Sequence, residues 1–130
     1  MPSLSAEKVC LVVEDNELTR QALGALLRQA GYQVLVAADG REALEHLRGS
    51  ARPTLLITDL RMPVMDGWAL LRHLKSRPEL ADIPTIVISA EAEAWRDVLD
   101  LGGATFLPKP LDVEDLLQVV GRLESEVVDL

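Results

Sequence analysis

The chain has 130 residues, 48% of them hydrophobic and 26% charged, and a formal net charge of −8. This is enough chain for one domain with its own core, and the composition excludes a low-complexity or disordered polypeptide. The acidic excess argues against binding to nucleic acid or to an anionic membrane surface, and the single cysteine, Cys10, excludes an internal disulfide.

Lys8 to Val13 reads KVCLVV, a short β-branched run that stops at the acidic pair Glu14-Asp15 and predicts a buried first strand. Cys10 lies inside this run, as a buried structural thiol rather than a nucleophile. Asn16 caps the first helix, whose inward face is expected to carry Leu18, Ala22, Leu23, Leu26 and Ala30 before Gly31 stops it. QVLVA (Gln33 to Ala37) is the second strand. Asp39 opens the second helix, with Ala43, Leu44 and Leu47 inward and Gly49 at its end.

TLLIT (Thr54 to Thr58) is the third strand and delivers Asp59 at its end. The loop LRMPVMDG leads to a third helix with Leu70, Leu71 and Leu74 on one face, and Asp66 is read as its cap. Pro78 and Pro84 bracket a connection to the fourth strand, TIVIS (Thr85 to Ser89). A fourth helix spans Ala92 to Leu101, ended by Gly102-Gly103, and ATFLP (Ala104 to Pro108) is the fifth strand. Asp112 caps a fifth helix with Val113, Leu116, Leu117, Val120 and Leu123 inward. The domain is expected over residues 6–126, with flexible ends at 1–5 and 127–130.

Five continuously apolar strands alternating with five amphipathic helices predict a parallel sheet covered on both faces, the doubly wound α/β class. The natural strand order is the flavodoxin-like 2-1-3-4-5. No apolar run reaches the roughly 18 residues of a membrane span. MPSLSAEK is no secretory leader, so the expected location is cytoplasmic.

Ligands of such sheets bind at the carboxyl ends of the strands, near the point where the winding reverses. Glu14-Asp15, Asp59, Ser89 and Lys109 all fall on that edge. Three carboxylates on one rim repel one another unless a cation joins them, and an open all-oxygen donor set suits Mg²⁺. An aspartate there can attack phosphorus, provided that a cation and a lysine neutralise the charge on the phosphoryl oxygens. A hydroxyl at Ser89 can donate to a phosphoryl oxygen only once that group is in place, which makes a trigger for a switch.

VVEDNE (Val12 to Glu17), TDLRMPVMDG (Thr58 to Gly67), ISA (Ile88 to Ala90) and FLPKP (Phe106 to Pro110) together resemble the receiver domain of two-component response regulators, the chemotaxis-type single-domain receivers included. The resemblance covers nearly the whole chain. It implies that Asp59 is the phosphoacceptor, that Glu14, Asp15, Asp59 and the backbone carbonyl of Arg61 hold Mg²⁺, and that Lys109 pairs with the phosphoryl group. It further implies Ser89 as the switch hydroxyl, Phe106 as the switch aromatic and a cis Lys109-Pro110 bond. The implied donor is a histidine kinase or histidine phosphotransfer protein. The implied output surface is the face of the fourth helix, fifth strand and fifth helix. Such a domain catalyses its own phosphorylation and dephosphorylation without independent turnover.

The departures from the family pattern are Val64 and Gly103, where glycine and alanine are common, Leu111, where an aromatic often stands, and Phe106 in place of tyrosine. Arg61 and Glu91 flank the site. His46 and His73 are read as surface residues, Trp95 as packing on the fourth helix, and Trp68 lies near the acidic loop.

Two other readings have distinct signatures. A phosphohydrolase of the haloacid-dehalogenase type needs a second acid two residues after its nucleophile, and Asp59-Leu60-Arg61 lacks it. A degenerate receiver that only binds partners would have lost part of the acidic, hydroxyl and lysine set, which is intact. Both a stand-alone receiver and one excised from a longer regulator or hybrid kinase fit the sequence.

Overall fold

β1 (Val9–Val13) is buried along its whole length and forms the middle of the sheet's winding, with β2 (Gln33–Ala37) on one side and β3 (Leu55–Thr58) on the other. β4 (Thr85–Ser89) and β5 (Ala104–Pro108) complete five parallel strands in the order β2-β1-β3-β4-β5, as expected. This computed structural model describes residues 7–49, 52–101 and 104–128.

Alternate residues of each strand face opposite sides of a sheet, and this divides the core in two. Leu11, Val13, Leu56 and Val87 pack on one face against Ala43 and Leu44 of α2 (Gly40–Arg48), Leu70, Leu71 and Leu74 of α3 (Gly67–Ser76) and Val98 of α5 (Trp95–Asp100). Cys10, Val12, Leu55, Ile57, Ile86 and Ile88 pack on the other face against Leu23 and Leu27 of α1 (Glu17–Gln29) and Leu116, Val119 and Val120 of α6 (Val113–Val128). Cys10 is fully buried, which pushes its thiol up to about 12 and makes it inert, as its place in an apolar run suggested.

The helix starts are local and match expectation. Asn16, Asp39, Asp66 and Asp112 each accept a hydrogen bond from the amide three residues on, at 2.9 to 3.1 Å. Gly31 ends α1 at φ 97°, a conformation for which glycine has no steric cost.

The helix count and two helix faces need correction. The connection bracketed by Pro78 and Pro84 contains a sixth helix, the single turn α4 (Pro78–Ala81), with Pro78 preset for its first position. The expected fourth helix is a 3₁₀ turn over Ala92–Ala94 followed by α5. In α1 the buried stripe is Leu23, Gly24 and Leu27, with Leu26 and Ala30 half-buried. Leu18 is 78% exposed and Ala22 is exposed too, so neither joins that stripe. In α6 the stripe is Leu116, Val119, Val120 and Leu123, so Val113 and Leu117 face outward.

α6 continues through residues 127 and 128, while the expected flexible end at 1–5, residues 129–130 and the Gly102-Gly103 stop lie outside the described residues. Among the described residues no helix is long and apolar enough to cross a membrane.

Candidate functional site

Strand register assembles the carboxyl edge. Val13 pairs with Thr58, so the next residues, Glu14 and Asp59, emerge side by side from adjacent strands. Ser89 pairs with Pro108, and the amide of Lys109 then donates to the Ser89 carbonyl at 2.9 Å, bringing the lysine over the same edge.

Glu14, Asp15 and Asp59 each present a carboxylate oxygen within 4.8 Å of the others. Glu14 is only 3% exposed. Burial raises its carboxyl above the ordinary range, opposed by the Asn16 amide on Oε2 at 3.0 Å and by Lys109, and reinforced by the charge of Asp59. Asp15 is exposed, and among the described residues no hydrogen bond uses its carboxylate. Asp59 is 8% exposed. Its Oδ1 accepts from the amides of Leu60 at 2.6 Å and Arg61 at 3.3 Å, and its Oδ2 accepts from Nζ of Lys109 at 2.6 Å.

Lys109 also reaches Oε1 of Glu14 at 3.4 Å. Burial pulls its ammonium down, but the hydrogen bond and charge of Asp59, with Glu14 behind them, more than offset this and hold it above its ordinary value. With all three acids ionised, one lysine leaves two negative charges uncompensated. An oxygen-only donor set of that charge fits a hard divalent cation held by one or two carboxylates.

The loop after Asp59 is pinned at both ends. Thr58 Oγ1 donates to the Asp59 carbonyl at 2.8 Å, and the Gly67 amide donates to the Leu60 carbonyl at 2.9 Å. Gly40 at the start of α2 donates to the Met65 carbonyl at 2.9 Å. Val64, at the crest of the loop, has φ 67°, so the position where the family favours glycine has the backbone that favours glycine.

The remaining expected residues fall around this cluster. Ser89 is buried, and its Oγ accepts from the Glu91 amide at 3.0 Å. Phe106 is half-buried on the α2–α5 side of the core. The Lys109-Pro110 bond is cis. Asp66 caps α3 and lies outside the carboxylate cluster, as read from the sequence. Trp68 joins Asp15, Met62, Asp66 and Glu91 in lining an open cleft of about 560 Å³ beside the cluster.

Four features were not foreseen. The guanidinium of Arg61 forms an ion pair with Glu91 at 2.8 Å, tying the loop after β3 to the loop after β4. Arg20, in the first turn of α1, donates to the backbone carbonyls of Glu14 at 2.8 Å and Asp15 at 3.4 Å. An arginine five and six residues after an acidic pair was the available signal. His46 is half-buried rather than a free surface residue, its Nε2 meeting the Val36 carbonyl of the edge strand β2 at 2.9 Å. Trp95 stands 44% exposed on α5, with the Arg96 guanidinium 5.1 Å from its ring centre, and does not pack inward.

Fold and site together define a class: a doubly wound α/β domain with an acidic, oxygen-rich site and one lysine at the carboxyl edge of its sheet. Residues 10–121 match the family described as the response regulator receiver domain, and the chain belongs to that family. Over 116 residues it is 40% identical to a gliding motility regulatory protein of Myxococcus xanthus, covering 87% of this chain and 15% of that one. Over 109 residues it is 40% identical to the response regulator MprA of Mycolicibacterium vanbaalenii, covering 82% of this chain and 46% of that one.

Its fold is similar to the signal receiver domain of a signal transduction histidine kinase from Syntrophus aciditrophicus, with a TM-score of 0.82, 38% identity and 92% of each chain covered. The chain spans between 15% and 55% of the length of these curated relatives and of a rice two-component response regulator. It is a receiver domain of the two-component type, a family whose members are phosphorylated on an aspartate in a Mg²⁺-dependent reaction.

Proposed function

We propose that Asp59 accepts the phosphoryl group, that Glu14, Asp15, Asp59 and the Arg61 carbonyl hold Mg²⁺, and that Lys109 and Ser89 bind the phosphoryl oxygens. The observation that carries this reading is the 2.6 Å contact of Lys109 with Asp59 inside a cluster of three carboxylates. An oxygen of Asp59 attacks phosphorus, the phosphorus–nitrogen bond of a phosphohistidine donor breaks, and the imidazole leaves with its electron pair and takes up a proton. A bound Mg²⁺ supplies neutralisation of the charge on the transferring oxygens. Lys109 exchanges its carboxylate partner for a phosphoryl oxygen. Ser89, whose oxygen accepts from the Glu91 amide at 3.0 Å, donates its O–H to another, which draws the loop after β4 toward the site.

These exchanges act as a switch only through the free energy by which they favour one state. About 3 kcal/mol moves a 10:90 mixture past 90:10. The loop after β4 leads into α5, and Phe106 lies in the neighbouring strand β5, so the change is expressed on the face of α5, β5 and α6. That is the face named in the sequence as fourth helix, fifth strand and fifth helix. Trp95 and Leu99 on α5 and Val113 and Leu117 on α6 are its exposed apolar residues. The donor is a histidine kinase or histidine phosphotransfer protein, the setting is cytoplasmic, and the domain turns over no substrate beyond its own aspartyl phosphate.

The test is incubation with Mg²⁺ and acetyl phosphate followed by intact mass measurement. The expected result is one phosphoryl adduct that needs Mg²⁺ and is absent from Asp59→Asn. An adduct that persists in Asp59→Asn, or none in the unaltered protein, overturns the assignment.

A further inference from the structure

Among the described residues, Asp15 is the member of the carboxylate cluster whose side chain no hydrogen bond holds. It is exposed, and no hydrogen bond among the described residues reaches its carboxylate. Its direction is therefore set by its backbone, through the two peptide planes on either side of its Cα. Both planes end on one guanidinium. Nη1 of Arg20 donates to the Glu14 carbonyl, which belongs to the peptide before Asp15, at 2.8 Å. It also donates to the Asp15 carbonyl, which belongs to the peptide after it, at 3.4 Å. Arg20 is itself fixed as the fourth residue of α1, where its amide donates to the Asn16 carbonyl at 2.9 Å and Asn16 caps the helix.

We infer that Arg20 is a positioning residue for the cation site, holding the backbone of the Glu14-Asp15 pair so that the Asp15 carboxylate points into the cluster. The inference rests on the proposed Mg²⁺ site and adds a residue to it that donates no ligand. Groups that orient metal ligands from outside the coordination sphere commonly contribute 10- to 100-fold in affinity. The sign of the effect separates positioning from simple electrostatics. Arg20 carries a positive charge close to a cation site, so its charge alone opposes Mg²⁺, and removing it by Coulomb's law alone would tighten binding. Positioning demands the opposite, because the released loop lets Asp15 swing into water.

The experiment is titration of the full chain with MgCl₂, read by Trp68 fluorescence in a Trp95→Phe background, together with the melting temperature in EDTA. Trp68 is a suitable reporter because it lines the cleft that includes Asp15. Arg20→Met is expected to weaken Mg²⁺ binding about tenfold in protein that remains folded at the titration temperature. Arg20→Lys, which keeps a donor to the Glu14 carbonyl, recovers part of the loss. Arg28→Met, two turns along α1 with no hydrogen bond to the acidic pair, leaves the affinity unchanged or slightly tighter. Unchanged or tighter Mg²⁺ binding in Arg20→Met overturns the inference and leaves the cation site standing. No Mg²⁺ response in the unaltered protein overturns the site and the inference together.

Discussion

Nζ of Lys109, carried one residue beyond β5, lies 2.6 Å from Oδ2 of Asp59 at the end of β3, fifty residues earlier in the chain. Among the described residues this lysine pairs with both Glu14 and Asp59, which are buried. Removing it leaves two carboxylates facing each other in a poorly solvated site. Breaking a buried pair costs about 3–5 kcal/mol, and the partial exposure of the lysine reduces this to roughly 1–3 kcal/mol for Lys109→Ala. Added Mg²⁺ replaces the missing charge, so the deficit measured by urea unfolding is expected to shrink when MgCl₂ replaces EDTA. An equal deficit in both solutions would assign the loss to packing of the lysine stem instead.

Gly67 starts α3 against the backbone of Asp59, the proposed phosphoacceptor. A Cβ there would meet the Asp59 carbonyl oxygen and stand 2.8 Å from Leu60 Cα, and no flexible side chain is available to yield. Gly67→Ala must therefore move the strand end itself. The expected loss of stability is about 2–3 kcal/mol, in the range for overpacking a well-packed core, accompanied by a sharp drop in the rate of phosphorylation by acetyl phosphate. Wild-type stability with a wild-type rate would contradict this close approach.

Val64 holds φ 67° with a branched side chain that is 75% exposed, so it gains little packing in return. Left-handed backbone costs a non-glycine residue roughly 1–2 kcal/mol. Glycine removes that strain and loses about 0.5–1 kcal/mol through greater freedom of the unfolded chain. Val64→Gly is expected to raise stability by a net of about 0.5–1 kcal/mol, seen as a higher melting temperature. A lower melting temperature would show that the valine side chain contributes more than its exposure suggests.

Stability is expected to fall on the alkaline side. Burial raises Cys10 from 9.0 to about 12, burial and the hydrogen bond to Glu124 raise Tyr32 from 10.0, and for Lys109 burial, which lowers, is more than offset by Asp59 and Glu14 together, which raise it from 10.5. Each group holds its proton more tightly in the native than in the unfolded protein. Their contribution is therefore complete below the ordinary values and is lost as pH rises through the raised ones. Melting temperatures measured from pH 7 to 11 should decline from about pH 9, where the thiol begins to ionise in the unfolded chain. Cys10→Val, which has no proton to lose, should move that onset upward, and an unchanged onset would exclude the thiol as its source.

The parts of this protein that the sequence alone determined are those set by neighbours within a few residues. The apolar, β-branched runs specify buried strands. Asn16, Asp39, Asp66 and Asp112 specify helix starts, because a cap bonds an amide only three residues away. Glu14, Asp15, Asp59, Ser89 and Lys109 stand at or just past strand ends, and a parallel sheet brings its strand ends to one edge whatever the details of packing.

The tertiary structure decided what depends on register and on which surface a helix meets. Leu18 and Leu117 match a helical repeat as well as Leu23 and Leu116 do, and only the sheet beneath selects between them. The ion pair of Arg61 with Glu91, thirty residues apart, leaves no local pattern to read. The 2.6 Å approach of Lys109 to Asp59 arises the same way, since it follows from the pairing of β4 with β5 and of β3 with β4 rather than from any property of the residues beside it.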